Sequence, residues 1–93
     1  MKELIVEIIT PDGTKFKGSC TYVQFNVADN QKGNYVGSYG IRAGHTKAIF
    51  ALEKGLTKVF NDNSLILNCE CGEGFATIDE NSVFLVVESF SRL

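Results

Sequence analysis

The sequence has little of several features that mark other classes of protein. It contains one proline and one histidine, and no apolar run approaches the roughly 20 residues that a membrane-spanning helix needs. Its 9 Lys and Arg residues are balanced by 11 Asp and Glu residues, and the two signs alternate along the chain. Because a nucleic-acid groove needs a basic face, we expect no nucleic-acid binding. An acid at Glu3, where a signal peptide carries positive charge, predicts no leader and no direct membrane insertion.

Cysteine is scarce and odd in number, with Cys20, Cys69 and Cys71 as its three positions. An odd count fits a disulfide framework poorly and favours free thiols in a reducing compartment. Cys69 and Cys71 share one face of a predicted strand together with Leu65 and Leu67. A structural zinc site needs a full tetrahedral set of ligands, which one further cysteine and one histidine do not provide. We therefore expect buried thiols that pack as small apolar side chains, with no metal and no cofactor.

Apolar residues recur mostly with a period of two, which indicates β-strands. Leu4, Val6 and Ile8 begin the pattern, and turn residues interrupt it every 8–12 residues or so, as in sandwiches and small barrels. The segments 61–64 and 79–82 lie between apolar runs and predict two hairpins. No segment carries a sustained helical stripe. The sequence predicts one all-β domain over residues 1–93, in the form of a sandwich or a small barrel.

Groups that could catalyse a reaction are few. Cys20 and His45 could form a nucleophile and base, but no orienting group or oxyanion-hole pattern accompanies them. Residues 37–45 hold three glycines, in a spacing that matches neither the P-loop nor the dinucleotide fingerprint. The segment instead predicts a rigid turn suited to partner contacts. We expect no catalytic site and no tight nucleotide binding.

Five motifs occur in an order that resembles a known family. They are Ile9-Thr10-Pro11-Asp12-Gly13 with Phe16 and Gly18, Gly37 with Gly40-Ile41 and Gly44-His45, Leu52 with Gly55, Gly74-Phe75-Ala76, and Val83 with Leu85-Val86-Val87-Glu88. This order resembles the amino-terminal β-sandwich domain of the epsilon subunit of rotary ATP synthase, called delta in mitochondria, over about residues 3–90. The family's carboxyl-terminal helical hairpin would follow Leu93 and is not in this sequence.

The resemblance implies a fold and a function. The fold is a two-sheet β-sandwich of about ten short strands. The function is that of a non-catalytic central-stalk subunit, which couples the gamma subunit to the c-ring during proton- or sodium-driven ATP synthesis. Such a subunit is cytoplasmic and peripheral on the inner face of the plasma membrane. The alternative is a free-standing β-sandwich interaction module that diverged from the subunit, and an enzyme of the Cys/His type is a third possibility.

The resemblance also implies two partner surfaces. The gamma interface maps to Thr10, Gly44, His45, Thr46 and Lys47, and we expect Thr10 and the Gly44-His45 turn to be accessible and close together at one end of the sandwich. The c-ring interface maps to Asn30, Asn34, Val36, Gly37 and Ser38. Family members often carry an acidic residue at the position of Val36, and the connection 28–36 is longer here than in the family.

Overall fold

A computed structural model describes residues 3–28 and 37–93 of the chain. These residues form ten β-strands and, within those two ranges, no helix. The strands are β1 (Leu4–Thr10), β2 (Gly13–Cys20), β3 (Tyr22–Val27), β4 (Gly37–Arg42), β5 (His45–Leu52), β6 (Gly55–Asn61), β7 (Ser64–Cys71), β8 (Gly74–Glu80), β9 (Ser82–Val87) and β10 (Phe90–Arg92). The predicted all-β class is confirmed. None of the described segments is a helix long and apolar enough to cross a membrane.

The strands form two five-stranded layers that are continuous at one corner. Sheet 1 has the order β4-β3-β6-β7-β10, and sheet 2 has the order β5-β8-β9-β1-β2. A single residue pair, Val27 with Leu52, joins β3 to β5 and so links the layers. β1 and β9 run parallel, whereas the other neighbouring strands are antiparallel. This is the predicted two-sheet sandwich.

The core lies between the layers and takes alternate residues from both. Leu4, Val6 and Ile8 of β1 are fully buried, as are Val23 and Phe25 of β3. Burial of one such side chain stabilises the folded state by roughly 1.5–3 kcal/mol. Each strand therefore turns its apolar residues, which recur with a period of two, toward the core. The three cysteines are free and occupy buried positions; the sequence predicted burial for Cys69 and Cys71.

Both predicted hairpins are present, but β7 departs from the simple alternation of buried and exposed residues. β6 and β7 meet at Asn61 and Ser64, and β8 and β9 meet at Asp79 and Ser82. In the first hairpin the register shifts by one residue, because Phe60 pairs with Leu65 whereas Val59 pairs with Leu67. A shift of this kind reverses the facing of the residues beyond it. Leu65, expected on the inner face, is therefore 49% exposed.

All strands run between two ends of the sandwich. The end that we call the Gly44 end contains the turns at residues 43–44, 62–63 and 81. The end that we call the Thr10 end contains the turns at 11–12, 53–54, 72–73 and 88–89, and the connection that leaves β3 after Val27 also begins there. This distribution decides which sequence-predicted site residues can lie together.

Candidate functional site

The turn between β4 and β5 is formed by Ala43 and Gly44. Gly44 has φ +86°, a region that favours glycine, and its N–H donates to the Asn81 side-chain oxygen at 3.2 Å. The backbone of His45 begins β5 opposite Glu80; the side chains of His45 and Thr46 lie outside the described part of the structure. Lys47 is exposed on the outer face of β5, with its Nζ 3.7 Å from an Asp79 carboxylate oxygen.

Thr10 has a structural role at the end of β1. Its side chain is only 6% exposed. Its Oγ1 accepts the Asp12 N–H at 3.1 Å and donates to the Gly13 carbonyl at 3.3 Å. These bonds close the β1–β2 turn and satisfy polar groups that burial would otherwise penalise. The expectation that Thr10 is accessible is therefore wrong.

Thr10 and Gly44 also lie at opposite ends of sheet 2, contrary to expectation. Ile9 pairs with Val86, at the end of β9, whereas Ile5 pairs with Ser82, at its start. The Gly44 turn contacts Asn81, just before that start. Because a strand rises about 3.3 Å per residue, the length of β1 separates the two positions. The parallel pairing of β1 with β9 is the physical cause, since it carries Thr10 away from the Asn81 turn.

The positions implied for the c-ring interface are only partly described. Asn30, Asn34 and Val36 lie outside the described residues. Gly37 and Ser38 begin β4 and pair with Val27 and Asn26, so they lie at the Thr10 end. Ser38 is exposed there.

The outer face of sheet 2 is apolar, a feature that was not predicted from the sequence. Across β5, β8, β9 and β1, one row of cross-strand neighbours is Ala51, Phe75, Val86 and Ile9, and the next row is Ile49, Thr77, Phe84 and Glu7. The exposed fractions reach 73% for Ile49 and 58% for Phe75. Isolated exposed apolar residues are ordinary, but adjoining ones mark an interaction surface. The signal in the sequence was that β1 and β9 are apolar on both faces.

The outer face of sheet 1 is chemically different. Tyr22, Gln24, Arg42 and Lys58 lie side by side on β3, β4 and β6. The Arg42 guanidinium carbon lies 4.6 Å from the centre of the Tyr22 ring, a cation–π arrangement. Sheet 1 also exposes Leu56, Leu65 and Ile66, but its middle row of Gln24, Lys58 and Asn68 is polar, whereas both described rows of sheet 2 carry exposed apolar residues.

Cys20 lies far from the strand that begins at His45, the base considered with it from the sequence. Three strands lie between β2, which holds Cys20, and β5, which begins at His45. Burial raises the pKa of the Cys20 thiol to about 11, which opposes formation of a reactive thiolate. Cys69 and Cys71 have their sulfur atoms 3.8 Å apart, and Cys69 donates to the Thr57 carbonyl at 3.5 Å. The bond with Cys71, together with burial, raises the pKa of the Cys69 thiol.

The sequence matches the family model described as "ATP synthase, Delta/Epsilon chain, beta-sandwich domain" over residues 3–93. The chain belongs to this delta/epsilon family. Its apolar outer face, the Gly44 turn and the Thr10 end are therefore features of a delta/epsilon β-sandwich domain. No curated protein sequence is significantly similar to it.

Two solved structures share the fold of this delta/epsilon domain. One is a chain of the Euglena gracilis mitochondrial ATP synthase, solved by cryo-EM with its c-ring; it has a TM-score of 0.77 and 16% identity, and the match covers 97% of this chain and 53% of that one. The other belongs to the central stalk and c-ring of the Tetrahymena thermophila mitochondrial ATP synthase, with a TM-score of 0.67 and 12% identity over 96% of this chain and 66% of that one. The chain thus spans about half the length of the Euglena protein.

Proposed function

We propose that the chain is a non-catalytic central-stalk subunit of a rotary ATP synthase, which binds the gamma subunit and the c-ring and couples them during ATP synthesis driven by a proton or sodium gradient. Membership of the delta/epsilon family supports this proposal. So does the similarity to chains from two mitochondrial synthases, one of them described as central stalk and c-ring. In this role the chain is peripheral to the membrane, at its inner face.

The observation that carries the proposal is the apolar outer face of sheet 2. Ile49, Phe75, Phe84 and Val86 are each at least 40% exposed and adjoin one another across three strands. A subunit held permanently in a complex buries a surface of this kind, because the apolar centre of an interface supplies most of its binding free energy. We assign this face to gamma. The Gly44 turn and Lys47 extend the same surface at its edge.

The c-ring is assigned to the Thr10 end. Gly37 and Ser38 lie there, next to the connection that carries the remaining implied positions. The apolar face and the Thr10 end adjoin at Phe75, so one rigid domain presents two partners with surfaces that meet along an edge.

A pair of matched variants tests the gamma assignment. Ile49→Lys puts a charge on the outer face of sheet 2, and Leu56→Lys puts one on the outer face of sheet 1, where Leu56 is 45% exposed. We expect Ile49→Lys to weaken binding to purified gamma from the same organism at least about tenfold, a loss of about 1.4 kcal/mol. Leu56→Lys should change it less than about twofold. Binding is measured by calorimetry or by co-purification.

Two outcomes contradict the proposal in different ways. Equal binding by the two variants would move the gamma interface off sheet 2. Failure of the unaltered chain to bind either gamma or the c-ring at micromolar concentration would favour the free-standing interaction module instead.

A further inference from the structure

Two thiols lie in contact on the inner face of β7, in sheet 1. The side chains of Cys69 and Cys71 point to the same side of the strand, are 0% and 3% exposed, and have their sulfur atoms 3.8 Å apart. Two residues of an extended strand separate their Cα atoms by about 6.6 Å. Cysteines joined by a disulfide usually have Cα atoms about 4.4–6.8 Å apart, so a small contraction of the strand is enough to join this pair.

The surroundings of the pair favour a thiolate at Cys71. In that form the Cys71 sulfur accepts hydrogen bonds from Cys69 and from the Thr57 hydroxyl, and these bonds lower the pKa of the Cys71 thiol despite its burial. Arg92 lies directly opposite Cys69 in the pairing of β10 with β7, and its positive charge favours negative charge on sulfur. The thiolate is the reactive form of cysteine, and a second thiol beside it can complete a disulfide. The pair thus combines a nucleophile with a resolving thiol.

A short strand lies between the pair and the edge of sheet 1. β10 is the last strand of that sheet, and it pairs with β7 through three residues, Phe90–Arg92. Phe90 lies opposite Cys71 and is partly buried against the core, whereas Ser91 and Arg92 are exposed. Peripheral elements with few buried contacts open locally at a low free-energy cost. Opening of β10 therefore gives a small oxidant a route to the thiols.

We propose that Cys69 and Cys71 form a reversible redox site, at which hydrogen peroxide oxidises the two thiols to a disulfide within β7. The Cys71 thiolate attacks one peroxide oxygen, the O–O bond breaks, and the departing hydroxide takes up a proton and leaves as water. Cys71 is then a sulfenic acid. The Cys69 sulfur attacks the Cys71 sulfur, the S–O bond breaks, and the hydroxyl leaves as a second water with the Cys69 proton. Two electrons from the pair thus reduce one peroxide to two waters.

The position of both cysteines on one strand makes this disulfide easy to reduce. Its Cα separation lies near the upper limit for a disulfide, and the sulfur atoms must close from 3.8 Å to about 2.05 Å. Strained disulfides are more oxidising than relaxed structural ones, so a dithiol reductant restores the two thiols and becomes a disulfide itself. The contraction falls where β7 pairs with β10, so oxidation should loosen β10. The site lies on sheet 1, away from the apolar face of sheet 2, and the inference does not depend on the proposed function.

Cys20 provides an internal control for the test. It is also buried, but it lies on β2 of sheet 2, and burial raises the pKa of its thiol to about 11. The full chain is treated with hydrogen peroxide, its remaining thiols are alkylated after denaturation, and the modified peptides are identified by mass spectrometry. We expect the disulfide between Cys69 and Cys71 to form at least about tenfold faster than Cys20 is modified. Dithiothreitol should restore both thiols, and the β10 amides should exchange hydrogen faster in the oxidised protein.

Two comparisons of variants test the resolving thiol and the route of entry. In Cys69→Ala, Cys71 should stop at the sulfenic acid, which dimedone traps, and no disulfide should form within the chain. Phe90→Ala should speed oxidation of Cys71 at least about threefold, because less of β10 then packs over the thiols. Phe50→Ala is the matched control, since Phe50 is also partly buried against the core but contacts Phe25 and Tyr39. Circular dichroism verifies that each variant is folded.

Several outcomes would overturn the inference. Oxidation of Cys20 as fast as of Cys69 and Cys71 would show that the pair has no special reactivity. Conversion of Cys71 in the unaltered chain to a sulfinic acid without a disulfide would show that Cys69 does not resolve it. Equal acceleration by Phe90→Ala and Phe50→Ala would contradict entry past β10.

Discussion

Gly44 illustrates how one residue supports a partner surface. Its N–H reaches Asn81 only because φ is +86°, and the space around its Cα is open. The constraint is therefore conformational rather than steric. Gly44→Val should lower the free energy of unfolding by about 1–3 kcal/mol, since a β-branched residue is strongly disfavoured at positive φ.

Gly44→Asn is the matched control, because asparagine tolerates positive φ better than other residues. Gly44→Asn should lower the free energy of unfolding, measured by urea titration, by less than half as much as Gly44→Val does. Equal loss in the two variants would show that the backbone angle is not the cause.

Cys20 should make stability depend on alkaline pH. Its pKa is raised to about 11 in the folded protein by burial, whereas an unfolded cysteine ionises near pH 8.5–9. Below the pKa of the unfolded chain, Cys20 is protonated in both states and its full contribution to the free energy of unfolding is retained. As pH rises from about 9 to about 11, the unfolded chain releases the proton first, so the free energy of unfolding falls by up to about 1.4 kcal/mol per pH unit.

The Cys20→Ala variant isolates this effect from the titration of tyrosine and lysine. It should be less stable at pH 7 but should lose less stability between pH 9 and 11. Parallel curves for the two proteins in denaturant titrations would contradict the assignment.

At the scale of an element, the β6–β7 turn depends on Thr21, the residue that connects β2 of one sheet to β3 of the other. The Asp62 N–H donates to Thr21 Oγ1 at 2.7 Å, and Thr21 Oγ1 donates to the Phe60 carbonyl at 3.4 Å. Thr21 is buried, so Thr21→Val leaves the Asp62 N–H without this acceptor at almost unchanged volume. We expect a loss of about 1–2 kcal/mol.

Thr14→Val provides the comparison, since Thr14 donates to a Glu7 carboxylate at 2.7 Å in an exposed position. Water replaces that partner, and the loss should stay below about 0.5 kcal/mol. The thermal unfolding of both variants measures the difference. Similar losses would mean that the bond between Asp62 and Thr21 does not stabilise the turn.

Strands and turns could be predicted because they depend on local signals. The alternation in β1, the turn residues of both hairpins and the glycine at position 44 each act within a few residues. Leu65 was misassigned because a one-residue register shift depends on the partner strand. Phe90–Arg92 is too short to show any period.

The partner surfaces were less predictable, because they depend on how distant strands pair. The parallel pairing of β1 with β9 separates Thr10 from Gly44, and no local pattern specifies it. The apolar outer face likewise appears only when β5, β8 and β9 are placed side by side. The family resemblance could position motifs along the chain but could not supply this register.

At the scale of the whole molecule, the two outer faces predict different behaviour in water. The isolated chain should self-associate reversibly at concentrations of about 0.1–1 mM, because adjoining exposed apolar residues on sheet 2 favour association. Ile49→Lys should shift it toward monomer, whereas Leu56→Lys should not. Analytical ultracentrifugation measures this, and a monomeric unaltered chain over that range would contradict the prediction.

The pairing of Ile5 with Ser82 has a consequence for biosynthesis. β1 lies far ahead of its parallel neighbour β9 in the chain, so the centre of sheet 2 cannot form until β9 has left the ribosome. Contacts between residues so distant in sequence slow folding to the millisecond-to-second range. During synthesis, at about 5–20 residues per second, β1 has only β2 as a neighbour and both of its apolar faces remain uncovered. We therefore expect the nascent chain to be prone to aggregation until β9 has emerged.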